Sequence, residues 1–194
     1  MNTYKDDHPD GLKTWYYENG QKECTGTYKE GVPDGLHTLW YETGQKKSEA
    51  TFKEGERVLW TEWYENGQKK KATIYNGGKE YGLWTEWYEN GQKKEEGIYN
   101  EGKEDGLFTW WYENGQKQEE GIYNEGKEDG LWIEWYETGQ KESEVTFKEG
   151  KRVLWTAWYE NGQKSEEGIY YEWKEGGEFT SWDTHGNITQ AGYL

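Results

Sequence analysis

The sequence predicts an all-β fold: an elongated single-layer array of tandem β-hairpin repeats, a solenoid-like twisted sheet of about eight units. Three observations predict it. The heptad Trp-Tyr-Glu-Asn-Gly-Gln-Lys occurs at 63–69, 87–93, 111–117 and 158–164, and with Thr for Asn at 40–46 and 135–141. Its central glycines, Gly20, Gly44, Gly67, Gly91, Gly115, Gly139, Gly162 and Gly186, recur every 24 or 23 residues, and self-similarity on that scale marks a repeat architecture. Aromatic residues make up 18% of the chain but all hydrophobic residues only 31%. A thick aliphatic core is therefore excluded, and flat rings stacked on neighbours in a thin sheet take its place.

The unit 82–105 shows how each element is specified. Leu83 to Tyr88 is rich in Trp, Thr and Tyr, which fit a pleated strand. Asn90-Gly91 follows, and Asn-Gly between such runs predicts a two-residue type I′ turn with positive φ at both residues. That turn pairs Glu89 with Gln92, Tyr88 with Lys93 and Trp84 with Gly97. Gln92 to Tyr99 is the return strand, and Asn100 to Gly106 is a polar turn into the next hairpin. Repeating the pattern gives one repeat domain, 1–194, with units at about 11–34, 35–57, 58–81, 82–105, 106–129, 130–152 and 153–176. A worn cap, 177–194, closes it. Two units, around Arg57-Val58 and Arg152-Val153, lack one residue and lie 95 residues apart, so a four-repeat block was duplicated.

Side chains alternate along a strand, so Leu83, Thr85 and Trp87 share one face while Trp84, Glu86 and Tyr88 share the other. Large rings at Trp84 stand opposite a column of small residues, Gly26, Ala50, Thr73, Gly97, Gly121, Val145 and Gly168. Lys13 and His37 interrupt the ring column at its start and read as an end of the array. The Trp40, Trp63, Trp87, Trp111, Trp135 and Trp158 column is expected to pack internally. The rings of Trp60, Trp84, Phe108, Trp132 and Trp155, with Tyr64, Tyr88, Tyr112, Tyr136 and Tyr159, are expected to stay exposed, because one layer cannot cover both of its faces. Exposed aromatic area marks a binding surface, and these ten residues are the candidate partner-binding site.

Charge narrows the partners. The formal net charge is −16, which opposes nucleic acid and anionic lipid and favours a basic protein partner. No catalytic constellation stands out, since the polar residues recur in every unit and His8, His37 and His185 are scattered. No His/Cys cluster has metal-ligand spacing, and no cofactor or metal is expected. Cys24 shares its column with Ser48, Lys71, Glu95, Glu119, Ser143 and Glu166 and reads as an exposed thiol. With no run of transmembrane length and no apolar leader after Met1, the sequence predicts a cytoplasmic protein.

The pattern Gly-x-Trp/Phe-x-x-Trp-Tyr-x-x-Gly-x-x-Lys-x-x-x-x-Tyr-x-x-Gly-x-x-x-Gly, from Gly11 to about Tyr170, resembles the bacterial MORN-variant repeat and the YwqK-family antitoxins. The resemblance implies a non-enzymatic module that neutralises a toxin by direct binding. A thinner resemblance, to choline- and glucan-binding cell-wall repeats, implies an aromatic cage for a quaternary ammonium; the Met-x-x-Gly-Trp ending of those units is missing. Open edge strands add a third expectation, homo-oligomerisation.

Overall fold

The computed structural model describes residues 3–5, 8–171 and 176–193, and these contain nineteen strands and no helix. Contacts divide the chain into two compact units, residues 1–93 with 99–102, and residues 94–98 with 103–194. The first contains β1 (Thr3–Lys5), β2 (His8–Tyr16), β3 (Lys22–Lys29), β4 (Val32–Trp40), β5 (Lys46–Lys53), β6 (Glu56–Trp63), β7 (Lys69–Asn76), β8 (Lys79–Glu80) and β9 (Gly82–Trp87). Both units draw on β10 (Lys93–Asn100). The second continues with β11 (Lys103–Glu104), β12 (Gly106–Trp111), β13 (Lys117–Asn124), β14 (Lys127–Trp135), β15 (Lys141–Lys148), β16 (Lys151–Trp158), β17 (Lys164–Tyr170), β18 (Gly177–Trp182) and β19 (Ile188–Tyr193). Within each unit successive strands pair antiparallel, as in an array of tandem hairpins. Residues 172–175, at the end of the unit expected at about 153–176, lie outside the described residues.

The Asn-Gly turn is not the two-residue type I′ turn that the sequence suggests. At the Asn-Gly turns only the glycine takes positive φ, for example Gly91 at 87° and Gly115 at 86°. The Tyr88 N–H donates to the Gln92 carbonyl at 2.8 Å, and the Gly91 N–H donates to the Tyr88 carbonyl at 2.9 Å. This is a three-residue hairpin, a type I turn followed by a glycine bulge. The Asn side chain explains the choice: Asn90 Oδ1 accepts from the Gln92 N–H at 2.9 Å, which holds the Asn in the turn and leaves positive φ to glycine. Tyr therefore closes the hairpin against Gln, and Trp111, not Tyr112, pairs with Lys117.

The two-residue turns with two positive φ values are instead Glu-Gly. Glu30, Glu54, Glu101, Glu125 and Glu149 all lie at φ 51°, each before a positive-φ glycine, and Asn124 pairs with Lys127 around Glu125-Gly126. Beyond this turn a bulge separates the Ile122–Asp129 pair from the Glu120–Ile133 pair. In the shortened units the same bulge is smaller, with Phe52 on Arg57 and Thr51 on Leu59. The missing residue was thus removed from a bulge, where register is already relaxed, and the tight turn was kept.

Beyond the bulge near the heptad, the predicted ring-to-small register holds. Trp60 stands on Thr73, Phe108 on Gly121, Trp132 on Val145 and Trp155 on Gly168. A Cβ on Gly168 would run into the Trp155 ring, and one on Gly121 into the Trp132 ring of the following strand. These positions need glycine because a ring lies flat on the backbone, not because of φ.

Candidate functional site

The ring face is not the exposed surface the sequence suggests. Trp84, Phe108, Trp132 and Trp155 are the buried hydrophobic core of the described residues, with Phe108 only 1% exposed, and Trp60 is half-buried. The cover comes from a second aromatic column on the return strands. The Phe108 and Trp132 rings stand edge-on to Tyr123, at 5.1 and 4.9 Å between centroids, and Trp132 is 6.0 Å from Phe147. Edge-to-face pairs of this kind are favourable beyond the area they bury. In the first unit Trp84 meets Tyr99 in the same way, and His37 stands between Tyr28 and Phe52 at 5.0 and 4.8 Å. His37 continues the ring stack and does not end it. One layer covers its own rings by interleaving the aromatic columns of adjacent strands.

The heptad tyrosines are likewise occupied. Tyr64, Tyr112, Tyr136 and Tyr159 donate their hydroxyls to the carbonyls of Trp87, Trp135, Trp158 and Trp182 in the next repeat, at 2.7–2.9 Å. Tyr88 is half-buried. Asn66 and Asn114 reach the carbonyls of Glu89 and Glu137. Lys46, Lys69, Lys117 and Lys141 lie over the heptad Trp rings of the next repeat, at 4.9–5.7 Å from the centroids. The heptad is therefore a coupling device between neighbouring repeats, and its Trp column packs internally.

What the sheet does expose is the aliphatic end of the opposite face. Leu59, Leu83 and Ile74 are exposed in the first unit, and Ile98, Leu107, Ile122, Leu131, Leu154 and Ile169 in the second, Leu83 by 52%. Leu59 pairs with Ile74, Leu107 with Ile122 and Leu154 with Ile169, so these hairpins present a Leu–Ile couple to solvent, while Leu131 pairs with Thr146. The signal is in the sequence as well, where Leu12, Leu36, Leu59, Leu83, Leu107, Leu131 and Leu154 recur at one place in successive repeats.

The ring face holds one further feature. In the second unit a cavity of about 550 Å³ is walled by Trp132, Phe147 and Trp155, with Glu119, Glu128, Glu134 and Glu166 around it and Arg152 as its cation. Glu119 stands opposite Glu134 across the β13–β14 pair, a like-charge pairing that costs stability. Burial foremost, then Glu134 and Glu128, push the Glu119 carboxyl up to about 7. Burial foremost, then Glu128, Glu104, Glu119 and Glu95, push Tyr123 up to about 12. Glu134 accepts from the Ser143 hydroxyl at 2.7 Å, and Glu166 from the Trp155 indole N–H at 2.6 Å.

Cys24 is half-buried, a correction to the exposed thiol expected, and burial and Glu23 push its pKa up. It is a poor thiolate nucleophile at neutral pH. Among the described residues no group of three or more His, Cys, Asp and Glu has the geometry to hold a metal ion.

No curated protein matches the chain at a significant level. A family model does match, in five tandem stretches, residues 9–30, 33–54, 80–101, 104–125 and 128–149, which together exceed half the chain. Each stretch ends around a Glu-Gly turn of the sheet, so the matched repeat and the structural repeat have one period. The chain belongs to the MORN repeat variant family.

Proposed function

We propose that this protein is a non-enzymatic protein-binding module whose exposed Leu–Ile face contacts a partner. The observation that supports the reading is the solvent-facing aliphatic stripe, Leu107, Ile122, Leu131, Leu154 and Ile169 in the second unit, since contiguous apolar area at a surface marks an interaction site. Repeats of this family commonly bind proteins or membranes. The net charge of −16 favours a basic partner over anionic lipid or a second copy, which would bring the same charge again. In its finer form the reading is an antitoxin or immunity protein that acts by occlusion, the stripe covering a surface its partner needs.

The test is capture on the immobilised protein, run in parallel with a Leu107→Gln/Leu131→Gln variant. A basic protein with a toxin-like domain, retained at stoichiometric amounts by the unmodified chain and lost by the variant, supports the reading. Equal retention by both removes the Leu–Ile face from it, and retention only by anionic vesicles replaces it with membrane binding.

A further inference from the structure

The exposed Leu–Ile stripe has a spacing and a border, and the two together describe what fits on it. In the second unit it runs through four adjacent strands, with Ile98 on β10, Leu107 on β12, Ile122 on β13 and Leu131 on β14. Thr146, paired with Leu131 on β15, ends the run. Each strand contributes one aliphatic side chain, so the stripe crosses the strands and is one residue wide along them. Neighbouring strands are about 4.8 Å apart, which puts the four side chains on a line of about 14 Å.

Both borders of that line carry carboxylates. Two residues along from the Leu107–Ile122 pair, on the same face, Thr109 stands between Glu96 and Glu120. Ile133 likewise pairs with Glu144 beyond Leu131. On the opposite border the Asp105 N–H donates to the Ile98 carbonyl at 2.8 Å and Asp129 pairs with Ile122, so each isoleucine has an aspartate beside it. Lys117 and Lys141 pair with Glu120 and Glu144. Asp129 has no ion-pair partner among the described residues.

The spacing selects the shape of the occupant. An extended segment repeats its side chains on one face every 6.6 Å or so, about 2 Å too far at each strand. An α-helix returns to one face every turn, about 5.4 Å, and so stays within about 0.6 Å per strand. Across the four strands its total offset is about 2 Å, which flexible side chains take up. The borders select its charge, because a helix on the line holds its flanking residues over carboxylates on both sides.

We infer that the Leu–Ile run of the second unit docks a cationic amphipathic helix of a partner protein, its axis across the strands. Its apolar residues, at i, i+3, i+4 and i+7, lie on Ile98, Leu107, Ile122 and Leu131. Its flanking lysines or arginines lie over Asp105 and Asp129 on one border and Glu96 and Glu120 on the other. The inference rests on the protein-binding reading of this face and states the form its partner takes.

The full chain is titrated by fluorescence anisotropy with three labelled synthetic peptides of about fourteen residues. One has leucines at helical spacing and lysines elsewhere, the second has the same composition with leucine and lysine alternating, and the third is the first with glutamate for lysine. Salt is held at about 0.15 M, where distant charges are screened. The expected result is saturable binding of the first peptide, with a gain of helical circular dichroism, at least about tenfold tighter than either of the others. Leu107→Gln/Leu131→Gln should weaken it by about tenfold or more, and Asp105→Asn/Asp129→Asn by about three- to tenfold, each at an unchanged unfolding midpoint. No saturable binding, undiminished affinity in the leucine variant, or equal binding of the glutamate peptide overturns the inference. Equal binding of the alternating peptide overturns it in favour of an extended occupant. A dimer of the chain alone that the leucine variant dissolves overturns it in favour of a second copy. If the helical peptide fails while the capture experiment retains a basic protein that the variant loses, the Leu–Ile face stands and only its helical occupant falls.

Discussion

The Tyr64 hydroxyl donates to the Trp87 carbonyl at 2.9 Å, a bond from one heptad to the next. The rest of the heptad works alongside it. Asn also reaches forward to a carbonyl, Lys lies on the next Trp, and glycine turns the chain. Stability should then be built from nearest-neighbour terms. Tyr64→Phe removes one of them and should lower the unfolding free energy by about 1 kcal/mol. Tyr81→Phe, at an exposed ring, should change it by no more than a few tenths, about 0.3 kcal/mol. Urea denaturation of the two variants beside the unmodified chain checks this.

The Glu-Gly turns carry avoidable strain. Glu125 sits at φ 51°, a region that Asn tolerates far better than Glu. Glu125→Asn creates the favoured Asn-Gly type I′ sequence where the backbone already has that shape. It should stabilise the chain by about 0.5–1 kcal/mol, read as a rise in the urea midpoint at unchanged slope. A fall in midpoint would show that the Glu side chain has a role the turn geometry does not reveal.

Gly168 lies under the Trp155 ring, with no room for a Cβ. Gly168→Val should force the ring from its seat and cost about 1–3 kcal/mol, although valine is the native residue at the equivalent Val145. Thermal unfolding with near-ultraviolet circular dichroism reads both the stability and the ring environment. A neutral substitution would mean that ring and strand can adjust together.

Glu119 gives the fold a pH dependence of definite sign. Its folded pKa, about 7, lies above the ordinary 4.5. Between these values the folded chain holds a proton that the unfolded chain releases, so this group's contribution to stability falls as pH rises through the window. Glu134 and Glu128 face it from β14, Glu95, Glu104 and Tyr123 lie nearby, and Arg152 is the cation of the cavity wall. Glu119→Gln should remove the decline, so its advantage over the unmodified chain is larger at pH 8 than at pH 5. Denaturation at both pH values measures the difference, and an advantage independent of pH would contradict the assignment.

The repeat period, the all-β class and the ring-to-small register were legible because they rest on spacing and side-chain size, which alternation in a strand converts directly into geometry. The turn types were not. The choice between a two-residue and a three-residue Asn-Gly turn depends on the Asn90 Oδ1 bond to Gln92, which spacing alone does not reveal. The exposed surface was misjudged for a related reason. Interleaving of Tyr123 between Phe108 and Trp132 is a relation between adjacent hairpins, and a single repeat read alone hides it.

The measurement that bears most directly on the binding reading is the affinity of the captured partner for three forms of the protein: unmodified, Leu131→Gln and Tyr81→Phe. The account predicts that Leu131→Gln keeps its unfolding midpoint and loses about tenfold or more in affinity, while Tyr81→Phe changes neither. Undiminished affinity of a folded Leu131→Gln/Leu107→Gln protein would contradict the claim that the Leu–Ile face is where the partner binds.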